Sequence, residues 1–335
     1  MGNICNKEKS EIDFVILWVD DTDPKWKEES NKYQTQEDVF NNMNDVRYRD
    51  WDILKYWFRS VERYAPWVRK IHFVTCGHYP EWLNLEHPKL HFVKHEEFIP
   101  HEYLPTFSSH TIELNIHRIE GLTEQFVYFN DDMFVVAPVK STDFFKDGLP
   151  RDIGIRNFPM LYDIGFINMN SIDIINREFY FRRQFKKHLW KWMNYRYGFH
   201  CLRNLMFLPY GDFTGAVNTH VANAYTKTTF NEVWLKYGKY IDETCQHRFR
   251  SKLDINQWVF KYWQIVSGNF APQRMSFGKH FYINNTEEIR RMLRQNKTKL
   301  ICVNDNENIS DIRELKEQVT EVFNEVFPEK SSFER

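Results

Sequence analysis

"QFVYFNDDMFVV" (residues 125–136) sets two adjacent carboxylates, Asp131 and Asp132, behind Asn130 and inside an otherwise aromatic and β-branched run. Such residues fit a pleated, buried surface, so the stretch predicts a strand over 125–136. Two charges side by side are out of place in a core unless the chain needs them there. Three more runs read as strands: "IDFVILWVDD" (12–21), "KIHFVTCG" (70–77) and "LHFVKH" (90–95). The first of these also ends in acids, Asp20 and Asp21.

Helical spacing lies between and after these runs. "RDWDILKYWFRSVERYAPW" (49–67) carries Leu54, Phe58 and Val61 on one stripe, with Asp50 as a candidate cap and Pro66 as a stop. "SSHTIELNIHRIEGL" (108–122) carries Ile112, Ile116 and Ile119, with Ser108 or Ser109 at its start and Gly121 at its end. "LDINQWVFKYWQIV" (253–266) and "ISDIRELKEQVTEVFNEVF" (309–327) read as amphipathic helices, the latter closing the chain. Residues 27–46 are polar and read as a loop or an exposed helix. Strands alternating with helices imply an α/β fold, Rossmann-like, with a mostly parallel sheet flanked by helices. Ligands of such sheets lie beyond the carboxyl ends of the strands, where both acidic doublets fall. Residues 146–215 lack strand spacing and read as a helix-rich insertion within a single unit spanning 1–335.

Composition narrows the function. Lys and Arg number 45 against 46 Asp and Glu, which argues against a nucleic-acid partner. The cysteines, Cys5, Cys76, Cys201, Cys245 and Cys302, are odd in number and scattered without a CxxC pair. That spacing disfavours a zinc knuckle and suits a reduced, cytoplasmic compartment. "MGNICNKEKSEID" (1–13) lacks the apolar core of a signal peptide, and Asn6 stands where a myristoylation start has Ser or Thr. No apolar run reaches membrane-spanning length, so any membrane contact is expected to be peripheral. From Arg177 to Arg203 eight Lys or Arg and one carboxylate, Glu178, interleave with Phe, Tyr and Trp. The stretch is either a solvated face over a core or a surface for anionic lipid or glycan.

Several constellations carry candidate chemistry. An acidic pair at a strand end is one way to hold a divalent cation beside a diphosphate, though acids there also start turns. Glu113 and His117 stand four apart, as an acid–base couple or a surface ion pair. His220 follows Gly215 at an apolar-to-polar junction. "HRFR" (247–250) offers Arg248 and Arg250 as a diphosphate clamp or as partners for carboxylates. Trp18 and Asp20 suit a base and a ribose, and Trp18 equally suits a core. P-loop, GxGxxG, GxSxG and HExxH patterns are missing, which removes the commonest ATPase, dinucleotide, hydrolase and zinc-protease readings.

Four blocks in order resemble the Stealth family of sugar-1-phosphate transferases. They are "DFVILWVDDTDP" (13–24), then "YRDWDILKYWFRSVERYAPWVRKIHFVTCGHYPEWLN" (48–84) continuing through "LPTFSSHTIELNIHRIEGLTEQFVYFNDDMF" (104–134). "THVANAYTKTTFNEVW" (219–234) with "HRFRSKLDINQW" (247–258) forms the third, and "ICVNDNENI" (301–309) with "PEKSSFE" (328–334) the fourth. The resemblance implies transfer of hexose-1-phosphate, or N-acetylhexosamine-1-phosphate, from a nucleotide sugar, expected to be UDP-linked, to a hydroxyl of an acceptor glycan. A phosphodiester of capsular or other cell-surface polysaccharide would form. It implies catalytic roles for Asp132, His220, Arg250 and Glu113, with His220, Asp132 and Glu113 as rival bases. Trp18, Asp20, Asn130 and Arg248 would bind the nucleotide sugar, and Asp131 and Asp132 a divalent cation, Mg2+ or Mn2+. The acceptor is expected to be lipid-linked or a growing glycan, and the basic aromatic stretch 177–203 to touch either the inner face of the plasma membrane or that glycan. A metal-dependent glycosyltransferase using a nucleotide sugar is the alternative, and a catalytically silent glycan-binding protein a third.

Overall fold

The computed structural model describes residues 11–34, 49–159, 164–295, 297–306 and 309–335. Its central sheet has five strands in the order β3-β2-β1-β4-β8: β1 (Ile12–Leu17), β2 (Ile71–Thr75), β3 (Leu90–Lys94), β4 (Gln125–Phe129) and β8 (Asn223–Thr226). The first four are parallel and β8 runs antiparallel to β4. Val15 sits between His72 and Tyr128 in register, so β1 is the middle strand and is buried on both faces, as central parallel strands are. Chain order runs from β1 outward to β2 and β3, then returns to β4 on the other side. That reversal opens a crevice between the carboxyl ends of β1 and β4.

The expected strand over 125–136 breaks at the acids. Asn130 to Asp132 form a turn, closed by Met133 N–H donating to Asn130 O at 3.1 Å. The chain then enters β5 (Met133–Val135), which belongs to a second sheet, antiparallel to β11 (Leu300–Asn304), itself parallel to β10 (Gly278–Tyr282). Hydrophobicity is continuous because both halves are buried, so the change of sheet left no apolar gap to read. A small third sheet joins β6 (Phe145–Lys146), β7 (Leu149–Asp152) and β9 (Ala271–Pro272).

Each face of the central sheet carries its own core. Phe14, Ile16, Phe73 and Phe129 pack with Trp57 and Phe58 of α2 (Leu54–Tyr64) and Phe323 of the closing helix α9 (Ile312–Val326). Val15, Val74, Phe126 and Tyr128 pack with α3 (Ser109–Asn115), α6 (Lys227–Cys245) and α7 (Trp258–Ser267). Before α2 comes α1 (Pro24–Tyr33), with Pro24 in its first turn and Asp23 accepting from Lys25 N–H at 2.9 Å. Residues 35–46 of the expected loop or exposed helix lie outside the described residues.

Helix starts differ from expectation. Ile53, not Asp50, precedes α2, and Asp50 instead accepts from Asp52 N–H at 2.8 Å. Ser108 makes no capping bond to α3, and α7 begins at Trp258 rather than near Leu253. The insertion contributes α4 (Ile164–Glu178), α5 (Phe181–Lys187) and short helical turns to Met206. After α8 (Thr286–Gln295) and α9 the tail folds back: Glu334 receives Arg59 bidentately at 2.8 and 2.7 Å beneath the surface.

Candidate active site at the sheet switch

A cleft of about 470 Å³ opens at the carboxyl ends of β1 and β4. Trp18, Asn130, Asp131, Asp132, His220 and Arg250 all face it, drawn from stretches up to 232 positions apart (Trp18 to Arg250). Asp20, Glu113 and Arg248 do not line it.

The two acids hang on the turn between sheets. Val303 N–H donates to Asp132 O at 2.8 Å, which pins the turn to β11. The Cys302 thiol lies within donating reach of Asp132 Oδ2 at 3.2 Å and Asn304 Oδ1 at 2.9 Å, while Asp132 Oδ1 is buried with no partner. Among the described residues no cation pairs with either carboxylate. Burial, then the charge of Asp132, then that of Asp50, push Asp131 up to about 8. Burial pushes Asp132 up to about 6, against the thiol bond that lowers it. Asp13, at the opposite end of β1, is the control within the same fold. It is more deeply buried than either cleft acid, yet Arg69 at 2.5 Å, His72 at 3.0 Å and Thr123 N–H at 2.9 Å hold it below the usual carboxylate range. Unpaired carboxylates at the cleft therefore reflect a missing countercharge rather than burial alone.

A divalent cation fits that deficit. Mg2+ is commonly held by one or two carboxylates and completes its shell with water and substrate phosphate oxygens. Among the described residues no group of three His, Cys, Asp or Glu stands ready to enclose an ion. The donors present, two carboxylates with one orphaned oxygen, suit an open site of hard oxygen ligands.

Beneath the turn, the Tyr128 hydroxyl lies 2.5 Å from Asn130 Oδ1 and 3.2 Å from Glu113 Oε1. Glu113 also accepts from Gln257 N–H at 3.4 Å. It is buried under the floor of the cleft, so it reaches the site only through Tyr128 and Asn130. His117 is not its partner: the helix tightens to a 3-10 turn at Ile116–Arg118, and the imidazole packs against Phe230 and Trp234. Burial, then Arg118 and Lys227, push it down to about 3. The expected acid–base couple or surface ion pair is thus neither.

His220 has a left-handed backbone, φ 54°, uncommon for a residue with a Cβ. Its N–H donates to Asn218 Oδ1 at 2.9 Å, and its ring meets His280 edge-on at 5.5 Å. Burial, then His280 and Lys261, push it down to about 4, so the imidazole is neutral at physiological pH.

"HRFR" divides. Arg250 points into the cleft, held by one bond to Ser109 Oγ at 2.7 Å and by no carboxylate among the described residues. Arg248 turns away: it donates to Pro105 O at 2.5 Å and lies 4.8 Å over the Tyr33 ring. Behind this loop Asp254, fully buried, meets His110 Nδ1 at 2.8 Å, His247 Nδ1 at 2.6 Å and Ser251 N–H at 2.9 Å. Asp20 builds the wall's turn, accepting from Thr22 N–H at 2.9 Å and Thr22 Oγ1 at 2.6 Å. Trp18 is mostly core, stacked 5.8 Å from Phe73, yet its buried Nε1 is unpartnered beside the cleft.

Sequence reading missed the far wall. Arg49 and Trp51 both bind the Asp305 carboxylate, at 3.1 and 3.0 Å, and Asp50 faces the cleft beside them. Asp305 follows β11 as the doublet follows β4; an acid after a strand was the available signal.

Comparison with known proteins identifies the family. Residues 10–38 match Stealth protein CR1, conserved region 1; residues 47–152 match conserved region 2; and residues 291–335 match conserved region 4. The chain is 42% identical to the capsular polysaccharide phosphotransferase WcwK of Streptococcus pneumoniae, covering 98% of this chain and 99% of the relative. It is 38% identical to the receptor polysaccharide phosphotransferase WefC of Streptococcus oralis (97% and 99% covered). It is 37% identical to the exopolysaccharide phosphotransferase cps2G of Lactiplantibacillus plantarum (97% and 96%). A crystal structure of the galactosyltransferase LgtC with donor and acceptor sugar analogs superposes at 11% identity and a TM-score of 0.37, over 92% of this chain and 95% of that one. The near full-length relatives and the three matched regions decide the matter: the chain belongs to the Stealth family and is a phosphotransferase.

Proposed function

We propose that this cleft transfers hexose-1-phosphate or N-acetylhexosamine-1-phosphate from a UDP-linked sugar to a hydroxyl of an acceptor glycan in cell-surface polysaccharide synthesis. The observation that carries the reading is the meeting, in one cleft, of an unpaired acidic pair, an arginine without a carboxylate partner and a neutral histidine. In this reaction the acceptor oxygen attacks the phosphorus that bears the sugar. A P–O bond forms, the bond to the nucleoside monophosphate breaks, and the acceptor proton leaves. Neutral His220, facing the cleft, is our choice to accept that proton. Arg250 holds phosphate oxygens through its fork and offsets charge on the leaving nucleotide. Asn130 is oriented by Tyr128, itself set by Glu113, which makes Glu113 a positioning residue rather than a base. Trp18 offers its indole N–H and ring edge to the donor. Asp131 and Asp132 would hold Mg2+ or Mn2+, which when bound supplies positive charge beside the diphosphate.

Nucleotide sugars are made in the cytoplasm, so the reaction is placed there, with a growing or lipid-linked glycan as acceptor. No described helix is long and apolar enough to cross a membrane. The test is incubation with a panel of nucleotide sugars and acceptor glycans, followed by phosphorus NMR of the product. A phosphodiester resonance with release of nucleoside monophosphate is expected. Release of the diphosphate, with no phosphorus in the product, would make the protein a glycosyltransferase. Binding without turnover under every metal and acceptor would make it a silent lectin.

A further inference from the structure

The short turns after α5 present a surface that the cleft does not use. Among the described residues nineteen large hydrophobic side chains are exposed, and nine of them fall between Tyr180 and Tyr210, a density that scatter over the chain does not produce. Trp190 is 63% exposed, Tyr195 78%, Phe199 91% and Met206 75%. The backbone beneath them is not loose. Trp192, Tyr197 and Asn204 are fully buried, and Asn204 ties the segment down by donating to Gly154 O and Trp192 O, each at 2.7 Å. Gly198 has φ 55° and ψ −141°, a conformation open to glycine alone, and it throws Phe199 outward at the tip of the turn. The segment therefore buries one side of itself firmly and displays aromatic side chains on the other.

Charge selects the occupant. Between Glu178 and Asp212 there is no carboxylate, while seven Lys and Arg occur in a protein of net charge −1. Lys191 is spent inside, bonded to Gly268 O at 2.5 Å and Phe270 O at 2.7 Å, and Arg182 caps Pro209 O at 2.9 Å. Arg183, Lys186, Lys187 and Arg203 are exposed beside the aromatic patch. Aromatic and aliphatic tips beside these exposed cations, on a segment with no carboxylate of its own, match the boundary of an anionic bilayer: rings enter the headgroup level while basic residues meet lipid phosphate. We propose that residues 180–210 form a membrane-docking platform that holds the enzyme peripherally on an anionic lipid surface. A second copy of this chain would meet the same basic field and be repelled by it.

Vesicle co-sedimentation tests this without turnover, so its outcome is independent of the reaction assigned to the cleft. The full chain is mixed with phosphatidylcholine vesicles alone and with about one third phosphatidylglycerol, at about 0.1 and 0.5 M salt. Binding to the anionic vesicles, falling with salt, is expected. The double variant Trp190→Ser/Phe199→Ser and the charge variant Lys186→Glu/Lys187→Glu should each lower partitioning about tenfold or more. Both change exposed side chains, and circular dichroism with transfer to a soluble acceptor should be unchanged. Equal binding to neutral and anionic vesicles, or variants that bind as well as the parent, would overturn the proposal. So would absence of vesicle binding together with self-association, or capture by a soluble polyanionic glycan, that the same variants abolish.

Discussion

Asp254→Ala is the sharpest perturbation of the arginine loop. Asp254 touches nothing in the cleft, but it gathers His110 from α3, His247 from the end of α6 and Ser251 N–H around the segment that carries Arg250. Removing the carboxylate strands His110 Nδ1 and Ser251 N–H behind the loop and frees His247 from it, and breaking a buried, charge-assisted cluster of this kind costs about 3–5 kcal/mol. For a chain of 335 residues the unfolding entropy converts that into a fall in melting temperature of roughly 4–7 °C. The sign with pH is also fixed. His110 and His247 hold Asp254 below its ordinary value against the opposing effect of burial, so its contribution is present above about pH 4 and lost only as pH falls through the lowered folded value. Calorimetry of parent and variant between pH 5 and 8 should therefore show a penalty that does not shrink toward pH 5. Transfer measured well below the melting temperature should fall as well, because Arg250 loses its backing. Asp254→Asn keeps the shape and should lie between the two. A penalty below about 1 kcal/mol, or one that fades between pH 8 and pH 5, would refute the clasp.

Arg250→Ala should lower the turnover of sugar-phosphate transfer about a hundredfold or more, with stability little changed, since its sole described bond is to Ser109. His220→Ala should abolish most transfer while calorimetric binding of the nucleotide sugar persists; equal loss of binding would make His220 a donor contact instead. Asp131→Asn should stabilise the protein in EDTA at pH 8 and leave it unchanged near pH 4. A carboxyl raised to about 8 contributes stability below its unfolded value, and loses it as pH rises through 8. Thermal unfolding across that range checks the sign, and the same variant should lose transfer.

Periodicity carried the frame because the central strands are buried on both faces and read as unbroken apolar runs with Gly and Pro between them. It failed where one hydrophobic run served two sheets. Nothing in "QFVYFNDDMFVV" distinguishes a twelve-residue strand from two strands with a turn, since Phe129 and Met133 are equally buried. The acids were legible as candidates, and so were His220 and Arg250, because charged residues beside apolar runs stand out. Roles that depend on direction were not. Arg248 and Arg250 differ in sequence by one intervening Phe249, yet one anchors a loop over Tyr33 and the other faces the cleft. Glu113 and His117 had the spacing of a helical pair, but the helix tightens between them. The Arg49–Asp305 wall spans 256 positions, beyond any local pattern.

The turn at the acids explains why the two sheets meet where they do. A strand that continued through 130–132 would place alternate side chains on opposite faces, one carboxylate into each core, where neither has a partner. Breaking the strand turns both toward one crevice, and Val303 N–H captures the freed Asp132 carbonyl so that the backbone is satisfied. The Asp132 side chain is not: its Oδ1 stays orphaned, and both acids stay raised. The polar satisfaction that the fold gives Asp13 through Arg69, His72 and the N–H groups of Lys70 and Thr123 is withheld at the other end of the same sheet. A fold selected for stability alone would place an arginine against the doublet, yet the nearby arginines are spent otherwise: Arg49 on Asp305, and Arg250 on a hydroxyl. A local cost left standing beside a solvent-open cleft is what an acidic pair reserved for an incoming positive charge requires.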